Sequence, residues 1–182
     1  MVALIGRNGA GKSTTMKHIL GLLKPHQGSV KIKGKMLEEN PHAYRTAYTY
    51  VPENPVLYDE LNVMEHLELS ARAYGISEAD YKTRSAALLE RFEMEKAKHK
   101  IPLHLSKGMR QKVMIMCAFL VKPEFYVIDE PFLGLDPLGI RSLLDLMVEE
   151  KQRGAGLLIS SHILSMIEKY TDRYIILDNG TI

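Results

Sequence analysis

The apolar run Val2-Ala3-Leu4-Ile5 passes without a break into Gly6-Arg7-Asn8-Gly9-Ala10-Gly11-Lys12-Ser13-Thr14. A buried strand that breaks into glycines and reopens as a helix constrains the fold more than any other segment of this chain. Several backbone N–H groups and the positive end of the helix converge on one point, and that point suits an anionic polyphosphate. The spacing satisfies G-x-x-x-x-G-K-[ST] in full. Lys12 is placed to reach the outer two phosphates of such a ligand, and the Ser13 hydroxyl to ligate Mg2+.

The rest of the chain agrees with a strand-and-helix alternation. Runs rich in β-branched, aromatic and aliphatic residues predict strands at Val2–Ile5, 29–33, 46–51, 125–128, 157–160 and 174–177. Several are apolar throughout, as buried parallel strands are. Helical patterns fall at 12–23, 63–74, 77–92, Lys107–Val121, 138–153 and 162–170. Asn62 caps the second of these, with Glu65 three residues on and Gly75 past its end, and Gly154 closes the fifth. The class is α/β: a P-loop NTPase with a mainly parallel sheet flanked by helices. No strand signal occurs between Asn62 and Val121. The expected organisation is one domain over 1–182, with a core subdomain from 1–61 and 122–182 and an inserted helical subdomain at 62–121.

Downstream, the apolar strand at 125–128 ends in Asp129-Glu130, two carboxylates at the carboxyl end of a strand beside the glycine loop. Asp129 is suited to hold a metal, commonly through water, and Glu130 to act as general base or to orient water for attack on the terminal phosphate.

Composition narrows the function classes. The chain has 182 residues, 46% of them hydrophobic, which suffices for a packed core. Lys+Arg 24 against Asp+Glu 22 gives a net charge of +2 with no dominant stretch, so nucleic acid is not an expected partner. The cluster Lys96-Ala97-Lys98-His99-Lys100 reads as a solvated face. The single cysteine, Cys117, sits in an apolar run and reads as a core thiol of a reducing compartment. No apolar stretch approaches the ~20 residues that span a bilayer. The first residues are strand-like and lack the basic start of a signal peptide. The glycine loop begins close to residue 1 and the chain closes on the turn 178–182, which reads as a fragment lacking an upstream segment.

Four further segments join the loop and the carboxylates: Tyr50-Val51-Pro52-Glu53, Leu105-Ser106-Lys107-Gly108-Met109-Arg110-Gln111, Leu133-Gly134-Leu135-Asp136-Pro137 and Ser160-Ser161-His162. Taken in order, the set resembles the nucleotide-binding domain of ATP-binding cassette (ABC) transporters, over essentially the whole chain. The stretches 50–61 and 64–69, with 105–109, are most similar to the ATPase subunits of the Ecs-type bacterial transporters.

The resemblance implies ATP and Mg2+ as cofactors, with Gly6, Asn8, Gly9, Ala10, Gly11, Lys12, Ser13 and Thr14 around the phosphates. It implies Ser13, Asp129 and Glu53 at the metal, and Glu130 and the switch histidine His162 in catalysis. Ser106 and Gly108 would face the terminal phosphate held by a second copy, in a homodimer that sandwiches two ATP molecules. Asp136 would communicate across that dimer. Each residue also has a plainer reading: Ser106 as a helix N-cap, Asp136 as the start of a turn before Pro137, His162 as a cap or surface group. The adenine-stacking aromatic of the family precedes the loop, so none is assigned here, and Tyr44, Tyr48 and Tyr50 read as packing residues.

Two departures from the family pattern stand out. The third and fifth positions of the signature, usually Gly and Gln, are Lys107 and Met109, which adds a cation and removes an amide. Glu53 replaces the usual glutamine; it still offers oxygen to a metal but adds negative charge, so metal binding is expected with altered coupling. The expected role is an ATPase that powers a membrane transporter. It would lie in the cytoplasm, peripheral on the inner face of the cell membrane, bound to a separate integral membrane permease. Pro55-Val56-Leu57-Tyr58 is either the groove for that partner or an apolar run buried between subdomains. A soluble ABC remodelling ATPase and a catalytically impaired ATP-sensing module are the alternatives; intact Lys12, Ser13, Asp129, Glu130 and His162 argue for hydrolysis.

Overall fold

The computed structural model describes residues 1–161 and 167–182. The chain divides into two compact units, one of 1–50, 123–130 and 153–182, the other of 51–122 and 131–152.

The first unit carries the sheet. Its strands are β1 (Val2–Ile5), β2 (Tyr48–Val51), β3 (Phe125–Asp129), β4 (Gly156–Ser160) and β5 (Arg173–Ile176), ordered β2-β3-β4-β1-β5. β1 runs parallel to both β4 and β5, and β3 runs parallel to β4. Because β4 lies between them, β1 and β3 are not neighbours. The register sets Leu4 and Asp129 each opposite Ser160, so all three strands end level. Leu4, Met16, Leu20, Val127, Leu158 and Leu177 form the core on which this sheet rests. Burying each such side chain contributes about 1.5–3 kcal/mol.

Helix α1 (Lys12–Ile19) stops earlier than the expected 12–23. Gly21 takes a left-handed φ of +70°, its N–H donates to the His18 carbonyl and the Leu22 N–H to the Lys17 carbonyl. This pair of bonds is the Schellman termination, which glycine permits without strain. The strand expected at 29–33 does not form. Ile32 and Lys35 make one isolated bridge around a turn at Lys33 and Gly34, both at positive φ. A helix that the periodicity did not reveal, α2 (Pro41–Thr46), follows; the Asn40 side chain accepts from the Ala43 N–H at 2.9 Å and Pro41 opens the first turn. Tyr44 and Tyr48 pack edge to face at 6.0 Å and donate to the Ile19 and Leu20 carbonyls. Burial raises both phenol pKa values, consistent with their reading as packing residues.

The second unit is helical: α3 (Val63–Ala73), α4 (Glu78–Arg91), α5 (Lys107–Val121) and α6 (Pro137–Gln152). The capping box of α3 forms as expected, Asn62 and Glu65 each accepting from the other's N–H at 2.7–3.0 Å. Ser77 and Ser106 cap α4 and α5, each hydroxyl accepting from the N–H three residues on. α5 packs on α3, α4 and α6, burying Ile115, Met116, Phe119 and Leu120. Burial pushes the Cys117 thiol up to about 11, against a weaker opposing hydrogen bond with Ser70.

This unit also takes in 51–61 and 131–152, outside the 62–121 insert expected from the sequence. Three residue pairs hold α6 there: the Ser142 hydroxyl donates to the Arg91 carbonyl at 3.1 Å, Arg91 forks onto Glu149 at 2.7 and 3.0 Å, and the Lys112 ammonium pairs with Asp136 at 3.0 Å. Among the described residues no helix is long and apolar enough to cross a membrane.

Two expectations follow from the second unit. A Cβ on Gly108 would lie 2.2 Å from the Gly134 carbonyl oxygen, a backbone atom that cannot swing away. Gly108→Ala should therefore cost about 1–3 kcal/mol of stability in a urea titration. The Lys112 bond, aided by the Gly139 N–H, holds the Asp136 pKa below the ordinary carboxylate value, while desolvation opposes it. This stabilisation is present above the unfolded carboxylate pKa and is lost as pH falls through the lower folded one. In Lys112→Met, an NMR titration should find Asp136 moved upward, toward the ordinary value.

Candidate functional site

β1 ends where the loop must turn sharply, and the glycines there answer two separate demands. A Cβ on Gly6 would sit 2.5 Å from the Leu177 carbonyl oxygen, so crowding requires glycine. Gly9 and Gly11 stand at φ +82° and +106°, so conformation requires it. The loop closes through the Ala10 N–H donating to the Arg7 carbonyl at 3.0 Å and opens α1 at Gly11. The turn 178–181 braces it from below, with the Gly180 N–H donating to the Ala10 carbonyl at 3.0 Å and the Leu177 N–H to the Ile5 carbonyl at 2.7 Å. Asn8 and Gly9 lie exposed on the rim, Ala10 is buried, Ser13 is half-buried and Thr14 exposed in the first turn of α1.

Lys12 folds back over its own loop. The residue is 7% exposed, and its ammonium donates to the Gly6 carbonyl at 2.8 Å and the Arg7 carbonyl at 3.4 Å and lies 4.0 Å from a Glu130 carboxylate oxygen. The structure thus brings together a buried cation, a ring of small residues and a buried carboxylate. The second carboxylate, Asp129, is 3% exposed and accepts from the Ser160 hydroxyl. The same hydroxyl accepts from the Glu130 N–H at 3.0 Å. Glu130 stands at φ +44°, a left-handed conformation that costs a residue with a side chain about 1–2 kcal/mol. Such strain is retained where the surroundings over-determine it, as functional sites commonly do.

This donor set fits a magnesium-bound polyphosphate. Among the described residues no three His, Cys, Asp or Glu side chains cluster into a protein-only metal cage. A hard cation at a phosphate loop draws on a hydroxyl, a carboxylate, waters and phosphate oxygens instead, and Ser13 and Asp129 are residues of that kind.

The other expected site residues belong to the second unit. Ser106 and Asp136 are exposed at the starts of α5 and α6, where both also act as caps: Ser106 accepts from the Met109 N–H at 3.2 Å and Asp136 from the Gly139 N–H at 3.0 Å. Gly108 abuts Gly134. Glu53 is exposed, and the Pro52 carbonyl just before it accepts from the buried Gln111 side chain at 3.3 Å. His162 lies outside the described residues. Ser160 as a partner of both carboxylates, Lys112 as the partner of Asp136 and Gln111 as the anchor before Glu53 all escaped the sequence reading. Each is a contact made across at least 24 positions of sequence, and no local spacing announces it.

Comparisons with known proteins agree with this geometry. A family model described as ABC transporter matches residues 1–133. The ABC-type transporter ATP-binding protein EcsA of Bacillus subtilis (strain 168) is 57% identical over 182 residues, covering 100% of this chain and 74% of that protein. A solved structure of an ATP binding subunit of an ABC transporter superposes with a TM-score of 0.96 at 57% identity, covering 99% of this chain and 75% of the other. A dimeric ATP-binding cassette in a post-hydrolysis state, bound to ADP and Pi, superposes with a TM-score of 0.87 at 25% identity over 99% of this chain and 82% of its own. The glycine loop, the strand-end carboxylates, the parallel sheet and these relatives lead to one assignment: the chain belongs to the ABC transporter family, as an ATP-binding-cassette ATPase.

Proposed function

We propose that this chain hydrolyses ATP to drive a membrane transporter, closing as a homodimer on ATP and reopening after hydrolysis. The observation that carries the reading is the Lys12 ammonium, held between loop carbonyls and Glu130 at the head of α1. Neutral carbonyls are weak partners for a buried cation, and phosphate oxygens replace them with stronger charge-assisted bonds. Backbone N–H groups of 8–14 and the N-terminus of α1 complete the phosphate cradle. Ser13 and Asp129 would hold Mg2+, which would neutralise charge on the outer phosphates, and Glu53 would offer a further oxygen. Glu130 accepts the proton of the attacking water, and His162 contributes to the terminal phosphate.

The dimeric post-hydrolysis cassette supports a second copy as partner, with Ser106 and Gly108 of one chain presented to the nucleotide of the other and Asp136 linking the two. EcsA's designation as a transporter ATP-binding protein supports a separate integral membrane permease, with this chain peripheral on the cytoplasmic face. Val56 and Tyr58 are 75% and 63% exposed, as a surface that receives a partner requires. The His66 Nε2 accepts from the Tyr58 N–H at 3.0 Å and steadies this surface.

Two variants test the reading. Lys12→Ala should weaken Mg·ATP binding by at least about tenfold in equilibrium titration, since a charge-assisted phosphate bond is lost. Glu130→Gln should retain ATP while slowing turnover by about 10²–10⁴-fold, the usual contribution of a positioned base, and light scattering should find it dimeric with ATP. Normal hydrolysis by Glu130→Gln removes the assigned base; a monomer under every nucleotide condition removes the dimer.

A further inference from the structure

Ser160 is the last residue of β4, fully buried, and it stands between the ends of β1 and β3. A serine hydroxyl has one proton to give and two lone pairs to receive. Here the proton goes to Asp129 Oδ1 and a lone pair takes the Glu130 N–H at 3.0 Å. The Ser160 carbonyl takes the same N–H at 3.3 Å, so the Glu130 amide is shared between two oxygens of one residue. The Ala3–Ile5 end of β1, which delivers the phosphate loop, is registered against this residue on the other side through Leu4.

We propose that Ser160 is a positioning residue for both carboxylates of the ATPase reaction: it fixes the rotamer of Asp129 for the metal and locks Glu130 in its left-handed conformation for the attacking water. The inference rests on the ATP-hydrolysis reading of this site and adds the residue that couples its two halves. A hydrogen bond to Asp129 Oδ1 leaves Oδ2 as the oxygen that a bound Mg2+ would draw on, and a carboxylate free to rotate would present either oxygen. At Glu130, the φ of +44° sends the side chain off the line of β3. Lys12 then lies 4.0 Å from its carboxylate. Without the hydroxyl, the Glu130 N–H loses its shorter bond and keeps the longer one to the Ser160 carbonyl. One hydroxyl therefore serves metal affinity and base placement together, whereas a merely space-filling serine would serve neither.

The test compares Ser160→Ala and Ser160→Thr with the unaltered chain, after thermal unfolding has established that each is folded. Ser160→Ala is expected to lower kcat by about 10–100-fold, within the range of a mispositioned catalytic group, with KM for ATP within about threefold. Its Mg2+ midpoint for binding a fluorescent ATP analogue, a readout that needs no turnover, should rise by about 10–100-fold, the scale of losing a bond that orients a metal ligand. Hydrogen exchange at the Glu130 amide should accelerate. Ser160→Thr, which keeps the hydroxyl, should restore the Mg2+ midpoint and slow exchange. A folded Ser160→Ala with an unchanged Mg2+ midpoint and unchanged Glu130 exchange overturns the proposal, and so does a fall in kcat matched by an equal loss of folded protein. If Ser160→Thr does not fold, the two turnover-free readouts on Ser160→Ala decide alone. Absence of hydrolysis in the unaltered chain, or normal hydrolysis in Glu130→Gln, would instead count against the ATPase reading itself.

Discussion

Parallel register governs this molecule's chemistry. β4 pairs with β1 on one side and β3 on the other, and Leu4, Ser160 and Asp129 stand level across the three strands. Parallel strands all point their carboxyl ends the same way, so every loop that leaves this edge opens on the same side of the sheet. The glycine loop, the carboxylate pair and the Ser160-Ser161 segment are therefore neighbours because of hydrogen bonds formed lower in the sheet. Leu4, Val127 and Leu158 anchor those hydrogen bonds from below, as members of one apolar cluster. Loss of that packing would move the ends of the strands and with them the glycine loop and the carboxylate pair.

The parts of the site legible in the sequence are those whose chemistry is local. Gly6 to Thr14 carry their meaning in spacing alone, and Asp129-Glu130 carry theirs in following an apolar strand. The caps Asn62 and Ser106 were equally plain, because a cap and its N–H lie three residues apart. The misjudged elements failed for local reasons too. At 29–33 alternating Lys-Ile-Lys mimics a strand, but Gly28 and the Lys33-Gly34 turn leave it without a ladder. Asn40-Pro41 was a readable start signal for α2, obscured by the shortness of a helix of 6 residues. Lys112 and Gln111 were hidden for another reason: each is a polar residue on a mostly buried helix, and its partner is fixed only by tertiary folding.

Glycine illustrates how one letter in a motif stands for different physics. Gly6 and Gly108 are held by proximity, each with a carbonyl oxygen within 2.5 Å of where a Cβ would go. Gly9 has nothing within 4 Å of its would-be Cβ and is held by a φ of +82°. At the first kind of position any side chain collides with backbone. At the second, asparagine or aspartate can follow the same turn at a modest cost. A family pattern that writes G at both kinds of position hides this difference, and the structure separates them.

Glu130 inverts the same logic. Here a residue with a long side chain accepts a left-handed conformation of the kind that Gly9 and Gly11 take in the glycine loop. Its cost of about 1–2 kcal/mol is comparable to what one amide hydrogen bond returns, at about 0.5–1.5 kcal/mol, and the Glu130 N–H shared between the Ser160 hydroxyl and carbonyl supplies it. A glycine at this position would relieve the strain and remove the carboxylate, while an extended glutamate would keep the carboxylate and lose its approach to Lys12. The strained glutamate is the arrangement that satisfies both demands, and it can persist only while β3 and β4 stay in register.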